Sequence, residues 1–183
     1  MGVNITNRIL GEATDERLKD PQAAYHYAKD VLKGRFPKGE AAIAKSTRWS
    51  YYYARDVIKG RWPRGEAAIT KDPQDAYYAY LYAKDVLKGR FPGGEEAIVK
   101  DNYYAPLYAA NIIKGRWPGA EPVIATSPDS AILYAKHVIG GRFPEGEPAI
   151  AKSSPRFIKS YLELFPEAKL EWLMNGWIDW LDL

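Results

Sequence analysis

The chain contains no cysteine. That absence excludes a disulfide framework and any thiolate nucleophile or metal site, and it suits a reducing compartment. Histidine is nearly as scarce: His26 and His137 lie far apart in different repeats, and no His/Asp/Glu cluster with ligand spacing accompanies either. No Walker or dinucleotide glycine fingerprint occurs either. No catalysis and no cofactor are therefore expected. No apolar run approaches the roughly 18 residues that a membrane span requires, and Met1-Gly2-Val3-Asn4-Ile5-Thr6-Asn7-Arg8 lacks the apolar core of a signal peptide. The expectation is a cytoplasmic protein without membrane contact. Charge of one sign is also lacking, since 26 basic and 23 acidic side chains are interleaved and leave a net of +3. A uniform field attracting nucleic acid is not expected.

What the sequence does have is repetition. A Tyr-Ala pair, a short charged stretch, then Gly-Arg-aromatic-Pro and a Glu are written five times, from Tyr27-Ala28, Tyr53-Ala54, Tyr82-Ala83, Tyr108-Ala109 and Tyr134-Ala135. The arginines 35, 61, 90, 116 and 142 step by 26, 29, 26 and 26 residues. A fixed period in this range marks a stacked-repeat protein.

Taking each Tyr as position 0, apolar residues fall at −3, 0, +1, +4 and +5, for example Ala79, Tyr82, Ala83, Val86 and Leu87. This is the stripe of an amphipathic helix. Asp20-Pro21, Asp72-Pro73 and Ser127-Pro128 offer a capping side chain ahead of a proline suited to the first helical position. Gly at +7 is placed to end that helix in the left-handed conformation, and Pro at +10 opens a shorter second helix, as in Pro63 to Lys71. The fold class predicted is all-α: an α-solenoid of about five 26-residue helix-turn-helix repeats over 20–153. An N-terminal cap at 1–19 and a degenerate sixth repeat with C-terminal cap at 154–183 complete it.

Arg at +8 and Glu at +13 recur in every unit and suit the helix dipoles, which assigns them a structural role. Candidate binding residues lie on the side opposite the core stripe. Leu81, Leu107 and Leu133 at −1 would align into an apolar ribbon for a protein partner, and Trp172, Trp177 and Trp180 near the C-terminus form a second candidate contact, for a partner or a homodimer. The alternative is a nucleic-acid-binding stripe on the first three repeats, where an aromatic at −2 is followed by cations at +2 and +6: Tyr25-Lys29-Lys33, Tyr51-Arg55-Lys59 and Tyr80-Lys84-Lys88. Asp30, Asp56 and Asp85 dilute that field.

The unit Tyr-Ala-Lys/Arg-Asp-Val-Ile/Leu-Lys-Gly-Arg-Phe/Trp-Pro-x-Gly-Glu resembles the short helical repeat of uncharacterised bacteriophage and bacterial proteins, whose usual ending is closer to Trp-Pro-Glu-Ala-Glu-Pro. Trp117-Pro118-Gly119-Ala120-Glu121-Pro122 comes nearest. The resemblance covers about residues 20 to 152 and brings no activity or site residues with it. It implies a phage protein acting on host machinery in the host cytoplasm.

Overall fold

The first helix of every repeat changes pitch at its tyrosine. In the computed structural model, which describes residues 19–71 and 75–178, α-helices Pro21–His26, Thr47–Tyr53, Ala76–Leu81, Tyr104–Tyr108 and Pro128–Tyr134 run directly into π-helical segments. These are Tyr27–Leu32, Ala54–Ile58, Tyr82–Leu87, Ala109–Ile113 and Ala135–Ile139. A π turn bonds each N–H to the carbonyl five residues back rather than four, and it is rare outside isolated bulges. Its recurrence at one repeat position makes it part of the repeat's design.

The end of the π segment corrects the expectation for glycine. The left-handed residue is the lysine at +6, with φ of 51° at Lys33, 56° at Lys59, 51° at Lys88 and 57° at Lys114; the fifth repeat has Gly140 there, at 68°. Gly at +7 is not left-handed. Its N–H instead shares the carbonyl of the +1 alanine with the residue before it, as Lys114 and Gly115 do on Ala109 at 2.7 and 3.4 Å. The bond from the left-handed residue is that of an αL helix ending widened by one residue, and the glycine N–H joins it on the same carbonyl. The glycines at +12 have the sharper steric reason: a β-carbon at Gly39, Gly65, Gly94 or Gly146 would overlap the +9 ring of its own repeat. The fourth repeat carries Ala120 at this position, and its Trp117 is half-buried whereas Trp62 is buried.

Start signals hold in part. Asp20 accepts from the N–H groups of Gln22 and Ala23, Ser46 from Trp49, and Asp101 from Tyr103 and Tyr104. Ser127 makes no side-chain cap, although Pro128 opens its helix as expected; Asp72 and Pro73 lie outside the described residues. The second helix opens at Pro63 and Pro92, but in three repeats a turn follows the proline and the helix begins only at Glu40, Glu121 or Glu147.

Among the described residues there is no strand, so the all-α class stands. The chain divides into two compact units, Met1–Gly94 and Glu95–Leu183. In the first, Tyr27, Tyr53 and Tyr82 are buried against Phe36, Trp62 and Phe91 of their own repeats, with ring centroids 5.0, 4.8 and 5.0 Å apart. In the second, Tyr108 and Tyr134 pair likewise with Trp117 and Phe143, and the core continues through Ile150, Ile158, Tyr161 and Trp172. Helices Pro155–Leu164 and Ala168–Met174 complete this unit, and Tyr161 takes the place of a repeat tyrosine. Edge-to-face and tilted ring pairs at such distances add to the area buried.

Candidate binding surface

The recurring Arg and Glu are consumed inside the fold. Arg35 donates from Nε and Nη2 to Glu40, 3.0 and 2.8 Å away. The same carboxylate accepts from the hydroxyl of Tyr53 in the next repeat at 3.0 Å, and that hydroxyl accepts from the Phe36 N–H at 2.8 Å. This clamp of turn, carboxylate and following helix recurs as Arg61, Glu66, Tyr82 and Trp62. It appears again as Arg116, Glu121, Tyr134 and Trp117, and as Arg142, Glu147, Tyr161 and Phe143. Tyr108 donates to Glu95 at 2.8 Å in the same way. The Arg116 guanidinium beside Glu121 holds its carboxyl below the usual range. Burial alone would push Glu147 up, but donation from Arg142, Trp172 and Tyr161 outweighs it and the carboxyl is lowered.

The expected nucleic-acid stripe divides into two halves. Its cations Lys29, Lys33, Arg55, Lys59, Lys84 and Lys88 are exposed as expected. Its aromatics are not: Tyr25, Tyr51 and Tyr80 are only 3%, 1% and 6% exposed. The following repeat covers the first two, because the Tyr25 hydroxyl donates to Asp56 and that of Tyr51 to Asp85, each at 2.6 Å. Lys29 and Arg55 join the same network, through Asp56 at 3.2 and 2.6 Å and through the phenols of Tyr25 and Tyr51. Asp56 lies far below the usual carboxylate range, since donation from Arg55, Tyr25 and Lys29 overcomes the burial that would raise it. Burial, followed by the bond to Asp85, pushes Tyr51 up to about 12. These rings cement repeats together and cannot stack bases.

The other candidates also separate. Leu81, Leu107 and Leu133 are half-buried rather than outward. Trp172 is fully buried, stacked on Tyr161 at 5.3 Å and 9° with Nε1 donating to Glu147 at 2.8 Å, so it belongs to the core and not to an interface. Trp177 packs half-buried against Trp172, and Trp180 lies outside the described residues.

A surface not anticipated from the repeat pattern lies in the first unit. Trp49 and Tyr52, half-buried, sit 5.8 Å apart; Tyr52 meets Tyr78 at 6.5 Å, and Tyr78 meets Tyr77, which is 42% exposed, at 4.8 Å. The Arg48 guanidinium lies 4.9 Å from the Trp49 ring and 5.9 Å from Tyr52, and that of Arg55 lies 4.9 Å from Tyr52. A sequence signal existed at −4, where Trp49, Tyr78 and Tyr104 stand against Ala23 and Ser130 in the other repeats.

Among the described residues no three His, Asp or Glu side chains gather as a metal would need, and no helix is long and apolar enough to cross a membrane. No protein-family model, curated protein or solved structure matches the chain.

Proposed function

We propose that this protein is a non-catalytic scaffold of stacked helical repeats, an α-solenoid, that binds a protein partner through the aromatic face of its first unit. The carrying observation is the Trp49, Tyr52, Tyr78 and Tyr77 cluster with Arg48 laid over it. Trp, Tyr and Arg are the residue types that dominate interface energetics, and here Trp49, Tyr52 and Tyr78 pack one side against the buried Tyr25 and Tyr51 while remaining only half-buried. The clamp supports the stacked architecture, because at four junctions within the two units the following helix supplies the hydroxyl that completes the preceding turn. Internal use of Arg35, Arg61, Arg116 and Arg142 with their glutamates supports a binding role over catalysis. The phage resemblance points to a host protein as the partner, met in the host cytoplasm.

The test is capture of a partner from host extract by the full chain, compared with a Trp49→Ala, Tyr52→Ala variant. Loss of a specific protein from the variant, with helicity by circular dichroism retained, is the expected result. Unchanged capture would overturn the assignment of the face. Recovery of nucleic acid alone would transfer the surface to the rival ligand class, with Trp49 and Tyr52 as the stacking rings.

A further inference from the structure

Cations accumulate along the turns and second helices of the first two repeats. Residues 33–45 carry Lys33, Arg35, Lys38 and Lys45 against Glu40, and residues 59–71 carry Lys59, Arg61, Arg64 and Lys71 against Glu66. The equivalent stretches later in the chain lose this excess: 114–126 has Lys114 and Arg116 against Glu121, and 140–152 has Arg142 and Lys152 against Glu145 and Glu147. Arg35 and Arg61 are committed to their glutamates. Lys38, Lys45, Arg64 and Lys71 are exposed and make no ion pair among the described residues.

Two of these cations share a cavity. Lys45 and Lys71 stand at the same repeat position and line one open groove of about 520 Å³ with Ala44, Thr47, Ala67 and Ala68. The Thr47 hydroxyl donates to the Ala68 carbonyl at 3.1 Å, which ties the two walls together and leaves mainly methyl groups on the floor. The groove is thus apolar at its base and basic at its rim, and its volume lies within the range of small binding clefts.

We propose that this groove receives an acidic, amphipathic segment of a protein partner, its apolar side chains on the alanine floor and its carboxylates against Lys45 and Lys71. The proposal rests on the scaffold reading but uses a different face from Trp49 and Tyr52. Charge complementarity selects the occupant, because cations without intramolecular partners lose little by meeting an anion. A nucleic acid would supply anions too, but it draws further affinity from aromatic stacking platforms, and no aromatic ring lines this groove among the described residues.

The probe is a fluorescent helical peptide with leucine on one face and glutamate on the other, titrated with the full chain by anisotropy at low and physiological salt. Binding that weakens with salt is expected, and Lys45→Glu with Lys71→Glu should reduce affinity at least about tenfold. A peptide with lysine in place of glutamate should then bind the double variant better than the parent protein, which also shows that the variant is folded. Failure of the acidic peptide to bind, or equal binding by the double variant, would overturn the proposal. So would a single-stranded oligonucleotide that binds more tightly and loses its affinity in the same variant. The Trp49→Ala, Tyr52→Ala variant separates the two readings: it should retain peptide binding, so loss of partner capture there leaves the groove standing, and peptide binding that disappears with it sinks the groove as an independent site.

Discussion

Residues 19–94 and 95–178 build the same Arg-Glu-Tyr clamp but complete it in different ways. The first unit adds a second polar tier above it, in which Tyr25 and Tyr51 reach Asp56 and Asp85 of the following repeats while Lys29 and Arg55 bridge them. The second has Pro106 and Ile132 where those tyrosines would stand and cannot form the tier. Its Arg116–Glu121 clamp is as open as those of the first unit, but its last clamp is buried: Glu147 is 1% exposed and takes a fourth donor in Trp172, and Arg142 also meets Glu171 at 2.8 Å. The Arg142 side chain is 21% exposed, against 67% for Arg61. The same clamp can therefore stand half-wet, as at Arg61 and Arg116, or dry, as at Arg142. The clamp recurs in both units, and the side chains packed outside it differ between them.

The sharpest way to break this comparison is at its most buried point. Glu147→Ala strands the donors of Arg142, Tyr161 and Trp172 in a closed site, and removal of one partner from a buried ionic network costs about 3–5 kcal/mol. Glu66→Ala should cost less, because Arg61 turns to water. Denaturant unfolding followed by tryptophan fluorescence checks both; equal losses would show that burial does not distinguish the two clamps.

Much of this was legible from the repeat period alone. Period and stripe placed Tyr53, Tyr82, Tyr108 and Tyr134 in the core and located the helix from Pro63, because both depend on spacing within one repeat. The pairing of Arg at +8 with Glu at +13 was legible as a dipole-matched pair, but its third member was not, since the tyrosine comes from the next repeat and only stacking brings it there. Tyr25, Tyr51 and Tyr80 were expected at the edge of the outward face and open to a ligand for the same reason: a helix wheel knows nothing of Asp56 or Asp85 on a neighbour. The π segments left no signal, as α and π turns use the same residue types and differ by one residue in the bond. Trp172 looked like an interface residue because composition cannot tell a buried tryptophan from an exposed one.

The shared clamp should show in alkali as a property of both units. Burial, only partly offset by the backbone N–H each phenol accepts, pushes Tyr53 and Tyr134 up to about 12, whereas an unfolded tyrosine ionises near 10. Between those values the folded state keeps protons that the unfolded chain gives up, so stability falls as pH rises. The contribution is whole below about pH 10 and is drained by about pH 12. Tyrosinate absorbance that rises together with loss of helicity in this window is the expected outcome. Ionisation of every tyrosine near pH 10 with the fold intact would show that the clamp hydroxyls are open to water.

The smallest expected effect tests the tier that the first unit has and the second lacks. The Tyr51 ring is 1% exposed and Phe would fill the same space, so Tyr51→Phe removes only the hydroxyl that donates to Asp85 and accepts from Arg55 at 3.1 Å. Asp85 is half-buried and can recover water in place of the lost donor. A cost of about 1 kcal/mol follows, the ordinary net worth of one hydrogen bond. A double-mutant cycle of Tyr51→Phe with Asp85→Asn isolates that term. If the cycle gives no coupling, the upper tier is a consequence of stacking in the first unit and not one of its causes, and the two units would then be held by the clamp and the core alone.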